Sequence, residues 1–507
     1  MTDRRMSQPD PTSAPLETTA SARSRVAAMM QRAVLWSTLN FVVTQSAGTV
    51  IFLIIAAQLP VHVFGVIALS TVAADFVSME GRYAAKDAVI QTGRFDAASL
   101  NVAFTCFQML VIVTAVVLAA LSPFIGSIYN EPLVATFMTL FGLMLLPIPW
   151  ISVMEALMLR DLKYRQMTER SVVATLAGGA VGIAVAFSPW FIWAILAQRI
   201  FGQIVQVALL YRFTHWLPGI SFKWATAKDF LKRFFSLWLV KTLIITIGRV
   251  TLLIFGLRYD VATVGLLRAN NRITEAVQGP AIAPLIDLWF PLMSKVRGDI
   301  DGEREVYNSI VRTATLIALP IFAGMAATAG DIVALLLPER YAGVAPILQA
   351  SSLTFLLIPV LWFNNVALNS MGMNKLSLAY TVALVATSLL FLFASNGASP
   401  PQVILLMSIP AAIVGIAGNV IINRRLKQAN FTYYLGLLPA ALATITMTAA
   451  TLAVGYGLRD LAVLPRFAVC VAVGGAAYFG WLVLFHRRWF MECVQLLISR
   501  QRQPTPA

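Results

Sequence analysis

The sequence predicts an all-α polytopic membrane protein, with about fourteen transmembrane helices in two six-helix lobes plus a two-helix extension. Three observations carry this reading. The 507 residues are 59% hydrophobic and 12% charged, with a mean hydropathy of +0.78. A soluble domain has about twice that charged fraction. The apolar residues fall in fourteen runs, most of them about 20 to 28 residues long, enough to cross a hydrocarbon core with some tilt. The basic residues between the runs then segregate by side. Composition alone excludes a soluble enzyme, a disordered chain and a disulfide-stapled secreted domain.

In chain order, residues 1–32 come first. The polar, Pro/Ser/Thr-rich stretch 1–25 lacks the apolar core of a signal peptide, so 1–32 reads as a disordered cytoplasmic tail. The runs follow at 33–59, 62–80, 99–124, 133–158, 171–188 and 190–211, forming the N-lobe, 33–212. A Lys-rich linker occupies 213–230. The C-lobe, 231–427, holds runs at 234–257, 261–293, 306–329, 344–372, 376–395 and 401–423. Runs at 432–457 and 463–485 make the extension, 428–488, before a second cytoplasmic tail at 489–507. The longest run, 261–293, contains Pro280, Pro284 and Pro291 and is expected to be kinked or broken.

Charge fixes the orientation. With the N-terminus inside, the 38 Lys and Arg divide into 28 on inside segments, four outside (Arg258, Arg340, Arg459, Arg466) and six within spans. One missed or spurious helix would invert every later loop and erase the bias. The asymmetry therefore predicts fourteen spans with both termini inside. The net charge of +15 then serves orientation and anionic-lipid contact rather than nucleic acid. Cys106, Cys470 and Cys493 have no metal-ligand spacing and read as packing residues.

The halves resemble each other. FLIIAAQLPVHVFG at 52–65 and LLIFGLRYDVATVG at 252–265 coincide at Leu53/Leu253, Ile54/Ile254, Val61/Val261 and Gly65/Gly265. The matched spans share one orientation, so the repeat is parallel. Paired lobes with a path between them are a transporter architecture.

Several stretches, in order, carry a family resemblance: FGVIALSTV at 64–72, DAVIQ at 87–91, MLRDLKYRQM at 158–167, WFPLMSKV at 289–296 and ALLLPERYAGVAPILQ at 334–349. The chain resembles the polysaccharide transporter family of the multidrug/oligosaccharidyl-lipid/polysaccharide exporter superfamily. The stretch EGRYAAKD at 80–87 departs from the family by its unusual charge. The resemblance implies a flippase of the bacterial inner membrane, both termini cytoplasmic. Its substrate would be an undecaprenyl-diphosphate-linked oligosaccharide for exopolysaccharide, capsule or O-antigen assembly, moved by alternating access. It implies coupling to an H⁺ or Na⁺ gradient and no bound cofactor. Its partners would be membrane lipids, a polysaccharide polymerase and a chain-length regulator.

Charges inside spans cost a few kcal/mol each at mid-bilayer and need a partner or a wet cavity. Of Arg199, Lys241, Arg249, Arg268, Arg272 and Arg312, four fall in the seventh and eighth spans. Arg268, Arg272 and Glu275 share one helical face. An anion between two arginines one turn apart offsets their repulsion, and a diphosphate suits two guanidinium forks. Arg249, Arg268, Arg272 and Lys241 are therefore diphosphate candidates. Arg199, flanked by Gln198, Gln203 and Gln206, and the amides Asn364 and Asn365 are candidates for sugar contact, against a packing role. Asp75, deep in the second span, is a candidate for coupling or gating, through titration or a salt bridge to the other lobe; Glu275 joins it.

His62, His215 and His486 cannot cluster in this topology, and no GxxxxGKS/T phosphate loop or Ser/His/Asp arrangement is visible. No enzyme activity is expected. A membrane glycan polymerase or ligase is the weakest alternative, because the outside loops are short. A peptidoglycan lipid-precursor flippase and a cation-coupled multidrug antiporter of the same superfamily remain alternatives. Cysteines placed at residues 126 and 397 should react with an impermeant maleimide from outside intact cells. Labelling of either from the cytoplasmic side alone would break the fourteen-span arrangement.

Overall fold

The computed structural model describes residues 19–498, with the side chains of 19–35 and some later positions outside the described set. Twenty α-helices fill this range, with no strand among the described residues. The expected tail segments 1–18 and 499–507 lie outside it. Residues 19–32, expected in a disordered tail, are instead the first turns of α1. Ala, Arg and Met recur there without a breaker, so the helix extends back from the apolar run.

The N-terminal half comprises α1 (Thr19–Gln58), α2 (Val61–Asp75), α3 (Arg82–Thr92), α4 (Ala97–Ile128), α5 (Pro132–Leu143), α6 (Ile148–Arg160), α7 (Tyr164–Ala186) and α8 (Ala194–Thr214). The C-terminal half comprises α9 (Trp224–Arg258), α10 (Val261–Lys295), α11 (Ile300–Ala327), the short α12 (Ala329–Leu336), α13 (Val344–Phe355), α14 (Ile358–Ser370), α15 (Asn374–Ala394) and α16 (Pro400–Arg425). The short α17 (Asn430–Leu435) then leads into α18 (Leu438–Gly457), α19 (Val463–Phe485) and the amphipathic α20 (Arg487–Ile498). Aspartates cap several starts: Asp96 accepts from Ser99 N at 3.0 Å, and Asp299 from Asp301 N at 3.1 Å.

Each of the fourteen apolar runs is helical. Among the described residues, ten helices are long and apolar enough to cross a membrane, or eleven if α5 and α6 form one bent span. Helices α9 and α10 and the α13–α14 pair, which the sequence also marks as spans, are not among them.

The expected break in the longest run is absent, because α10 runs continuously from Val261 to Lys295. Its prolines sit four and seven residues apart, on one helical face, where their lost donors permit curvature. The breaks fall instead in the fourth and tenth runs. Helices α5 and α6 meet at 43° across residues 144–147. There Pro147 and Pro149 remove two closely spaced donors and disfavour helix before them. Helices α13 and α14 part at 356–357, just before Pro359.

These breaks occupy equivalent places in the two halves, and the turns after them repeat. Leu162 and Gly372 both have positive φ, +53° and +77°. Lys163 N donates to Met158 O at 3.0 Å, and Met373 N to Leu368 O at 2.8 Å, so both helices close with the same capping turn. In the first turn, Arg160 donates to Asp161 at 2.7 Å with Lys163 nearby, holding that carboxyl below its ordinary range.

The halves meet through α2 and α10. A Cβ on Gly65 would lie 1.7 Å from Val261 O, and one on Gly265 would lie 2.1 Å from Val61 O. The residues matched in the sequence repeat thus touch each other reciprocally, backbone to backbone. Two tyrosines repeat the exchange nearby. Tyr129 OH donates to Leu253 O at 3.1 Å, and Tyr341 OH to Leu59 O at 3.1 Å. All four contacts lie at the end of the bundle that the charge pattern assigns outside.

The segment between the halves lies against α4, where Gly219 N donates to Asn101 Oδ1 at 3.0 Å and Ser221 N to Thr105 Oγ1 at 3.2 Å. Helices α18 and α19 dock on the C-terminal half. Tyr478 OH donates to Leu316 O at 2.8 Å, and Arg466 pairs with Asp331. The three cysteines are buried free thiols. Gly126 is buried against Ala135, whereas Gly397 stands open, making position 397 the better topology reporter.

Gly65→Leu and Gly265→Leu should each lower the melting temperature of the purified protein. Overpacking at a tight contact costs about 1–3 kcal/mol. Gly475→Leu, which meets open space, is the control and should melt like the parent.

Candidate functional site

The site is built around buried charge. Asp75 closes α2 and is 4% exposed. A lone carboxylate at that depth would be protonated or expelled, so it needs a cationic partner. Arg249 of α9 supplies one, with Nη1 2.8 Å from Oδ2, and Arg199 of α8 stands 3.8 Å from Oδ1. Two arginines from opposite halves thus face one carboxylate. Of the two arrangements expected for Asp75, the structure contains the salt bridge to the other half.

Arg199 faces two clefts. Its guanidinium carbon lies 5.2 Å from the centre of the Phe141 ring. On one side it joins Arg268 and Arg272 around a cleft of about 210 Å³ between the halves, walled by Gln198, Thr71 and Phe64 among others. Arg272 reaches so close to α1 that a Cβ on Gly48 would lie 2.6 Å from Nη2. Glu275 lies 3.9 Å from Arg272 and is half exposed, so it neutralises that arginine weakly. Three guanidiniums on one small cleft repel one another, and a multiply charged anion offsets the repulsion. The side chain of Lys241 lies outside the described residues, as does that of Asp287.

The second cleft, about 760 Å³, lies within the N-terminal half and shares Gln198 and Arg199 with the first. At its inner part sits Glu155 of α6, 2% exposed. It accepts from Arg82 Nε at 3.0 Å and Arg82 Nη2, and from Arg170 Nη1. The charge count assigned Arg82 and Arg170 to cytoplasmic segments. The structure draws both onto a buried carboxylate, which could not stay ionised in the bundle without them. The unusual charge of residues 80–87 is partly accounted for: Arg82 is the counter-ion of Glu155. A π-helical turn, Phe76–Gly81, separates Asp75 from Arg82. Its wider turn rotates the two ends of this continuous helical path, so that Asp75 meets Arg249 while Arg82 meets Glu155.

Asn364 and Asn365 line neither cleft. Asn364 Nδ2 donates to Gly415 O at 2.8 Å, and Asn365 joins Thr381 and Ser377 at 2.7 Å each. They tie α14 to α15 and α16, the packing role weighed against sugar contact. The structure therefore gathers Asp75, Arg199, Arg249, Arg268 and Arg272 and sets the asparagines apart. It adds Arg82, Glu155 and Arg170, for which an acid within the fourth span was the available signal.

Glu155→Gln leaves two buried guanidiniums without a counter-charge. Thermal unfolding of the purified variant should show a loss of about 3–5 kcal/mol, the usual result of removing one partner from a buried pair. Glu275→Gln, at a half-exposed position, should unfold like the parent.

Comparison with known proteins adds the family. The pattern of a family described as polysaccharide biosynthesis protein matches residues 54–346. The lipopolysaccharide biosynthesis protein WzxC of Escherichia coli (strain K12) is 24% identical over 334 residues, covering 62% of this chain and 64% of that protein. The succinoglycan biosynthesis transport protein ExoT of Rhizobium meliloti (strain 1021) is 19% identical over 319 residues, covering 63% and 65%. The chain thus spans slightly under two thirds of these relatives' length. Among solved structures, the lipid II flippase MurJ in an inward closed conformation has a TM-score of 0.71 at 13% identity, covering 90% of this chain and 100% of that one. An inward-facing multidrug resistance MATE family transporter of the MOP superfamily has a TM-score of 0.55 at 13% identity, covering 76% and 94%. At such identities the likeness is one of fold. With the family pattern matching well over half of its length, the chain belongs to the polysaccharide biosynthesis protein family.

Proposed function

We propose that this chain is a flippase that moves undecaprenyl-diphosphate-linked glycan repeat units from the cytoplasmic to the outer leaflet of a bacterial inner membrane. In this reading both termini are cytoplasmic, and residues 33–212 and 231–427 are two lobes that rock against each other. The observation that carries the reading is the convergence of Arg199, Arg268 and Arg272 on one cleft between the halves. Three partly buried cations are costly at membrane depth without bound anions, and a diphosphate fits guanidinium forks. A cationic drug, the substrate of an antiporter, fits this cleft poorly. The polysaccharide functions named for WzxC and ExoT support the same substrate class.

The mechanism uses only non-covalent steps. With the outer end closed by the α2–α10 contact, the diphosphate enters from the inside and settles among the three arginines. It draws Arg199 from Asp75 and leaves Arg249 as that carboxylate's main partner. Protonation of Asp75, or its occupation by Na⁺, frees Arg249 and unties the halves. Rocking then opens the outer end, where a polymerase takes the repeat unit. Residues Arg249 and Asp75 gate; Arg199, Arg268 and Arg272 hold the load.

The test is deletion of the gene together with any paralogue, followed by mass spectrometry of undecaprenyl-linked intermediates and assay of secreted polymer. We expect the full repeat unit to accumulate while polymer falls at least tenfold. Arg272→Ala, expressed at parental level in the membrane, should not restore export. Normal intermediates with normal polymer overturn the reading. Altered sensitivity to cationic dyes would favour the antiporter, and accumulated peptidoglycan precursor would favour that flippase.

A further inference from the structure

The cleft of about 760 Å³ in the N-terminal half has a chemistry unlike that of the arginine cleft beside it. From it we infer a separate glycan-binding wall, formed by Asn40, Gln203 and Gln206 around the inner part of the bundle. This inference rests on the proposed function and adds where the sugars sit.

The charges of this cleft are largely paired off. Its two innermost arginines, Arg82 and Arg170, are committed to Glu155, Arg199 stands by Asp75, and Lys86 lies over the Tyr83 ring. The polar side chains along the rest of the wall are neutral, with Asn40 and Thr44 of α1, Gln198, Gln203 and Gln206 of α8, and Thr175 of α7 among them. Phe141, Met144 and Ile148 lie between them. Amides and hydroxyls donate and accept, as sugar hydroxyls do, and the apolar side chains suit the C–H faces of sugar rings. A diphosphate has only acceptors and would gain nothing from the amide oxygens.

The wall is also prepared for a ligand. Gln203 Nε2 donates to Met144 O at 3.0 Å, which fixes that amide. Asn40 Oδ1 and Arg170 Nε are buried without a hydrogen-bond partner. Turning the Asn40 amide towards a ligand therefore breaks no bond at its oxygen. Gly178 and Gly202 let α7 and α8 touch, since a Cβ on Gly178 would lie 2.6 Å from Gln198 O. This close floor gives the flanking glutamines their depth.

Size and continuity match the division of labour. Drug-sized ligands fill clefts of about 300–1,000 Å³; the arginine cleft, at about 210 Å³, suits a small anion, and the larger cleft, at about 760 Å³, an oligosaccharide. Gln198 and Arg199 line both. A ligand whose diphosphate is joined directly to its first sugar can occupy both at once.

The test uses the purified full-length protein and calorimetric titration with two probes. One is undecaprenyl diphosphate. The other is the repeat-unit oligosaccharide released by hydrolysis of the host's secreted polymer. Gln206→Met and the double variant Asn40→Leu/Gln206→Met should bind the oligosaccharide at least tenfold more weakly and undecaprenyl diphosphate as the parent does. Arg272→Ala should show the reverse. Melting temperatures within a few degrees of the parent confirm folding, and the single variant suffices if the double one fails that check. Parental oligosaccharide affinity in Gln206→Met and the double variant overturns the wall. So does a parent protein that binds undecaprenyl diphosphate but not the oligosaccharide, which leaves the flippase reading standing. A parent that binds neither overturns both.

Discussion

The structure depends on a contact that no side chain could make. Gly65 and Gly265 bring the backbones of α2 and α10 together, each against a carbonyl of the opposite half. Lipid tails are as apolar as leucine, so burying apolar surface adds little to helix association in a bilayer. Close van der Waals approach and hydrogen bonds across the seam must supply it. Here the glycines give the approach, and Tyr129 and Tyr341 give the hydrogen bonds. The arginine cleft starts beside this seam, at Phe64, Ile67 and Ala68 of α2.

Within this frame the buried charges are settled in two different ways. Glu155, Arg82 and Arg170 form a triad whose members all belong to the N-terminal half. It ties α3, α6 and α7 together. Asp75 instead answers to Arg199 from its own half and Arg249 from the other. The first arrangement stabilises a body, and the second joins two bodies. The π turn at Phe76–Gly81 lets one helical path serve both, by turning its two carboxylate-related positions to different faces.

Much of this was legible in one dimension. Hydropathy found fourteen helical runs, though neither α3 nor α20, and four matched positions in a weak repeat included two that meet across the seam. The cationic cluster was legible because Arg268 and Arg272 share a helical face and because arginine at membrane depth demands a reason. Other features were not. Arg82 and Arg170 sit at run edges, where sequence reads a basic residue as an orientation signal; only the fold reveals that Glu155 lies between them. Asn364 and Asn365 satisfy neighbouring helices with the same amides that could serve a sugar, and sequence does not say which. The break at Pro147 and Pro149 was written in their close spacing, yet the longer run with three prolines drew the expectation. Residues 19–32 looked disordered by composition at the extreme N-terminus, but local helix propensity and continuity with α1 prevailed.

The extension has a mechanical consequence. Helices α18 and α19 are fastened to α11 and α12 through Tyr478 and the Arg466–Asp331 pair, so they travel with the C-terminal half. That half therefore presents the larger body to the lipid and meets more viscous drag. In any relative rotation free of outside torque, the two bodies turn in inverse proportion to their drag. In the proposed rocking, the lighter N-terminal half, which holds both the triad and the wide cleft, sweeps the larger angle, while the heavier half acts as its frame of reference in the membrane.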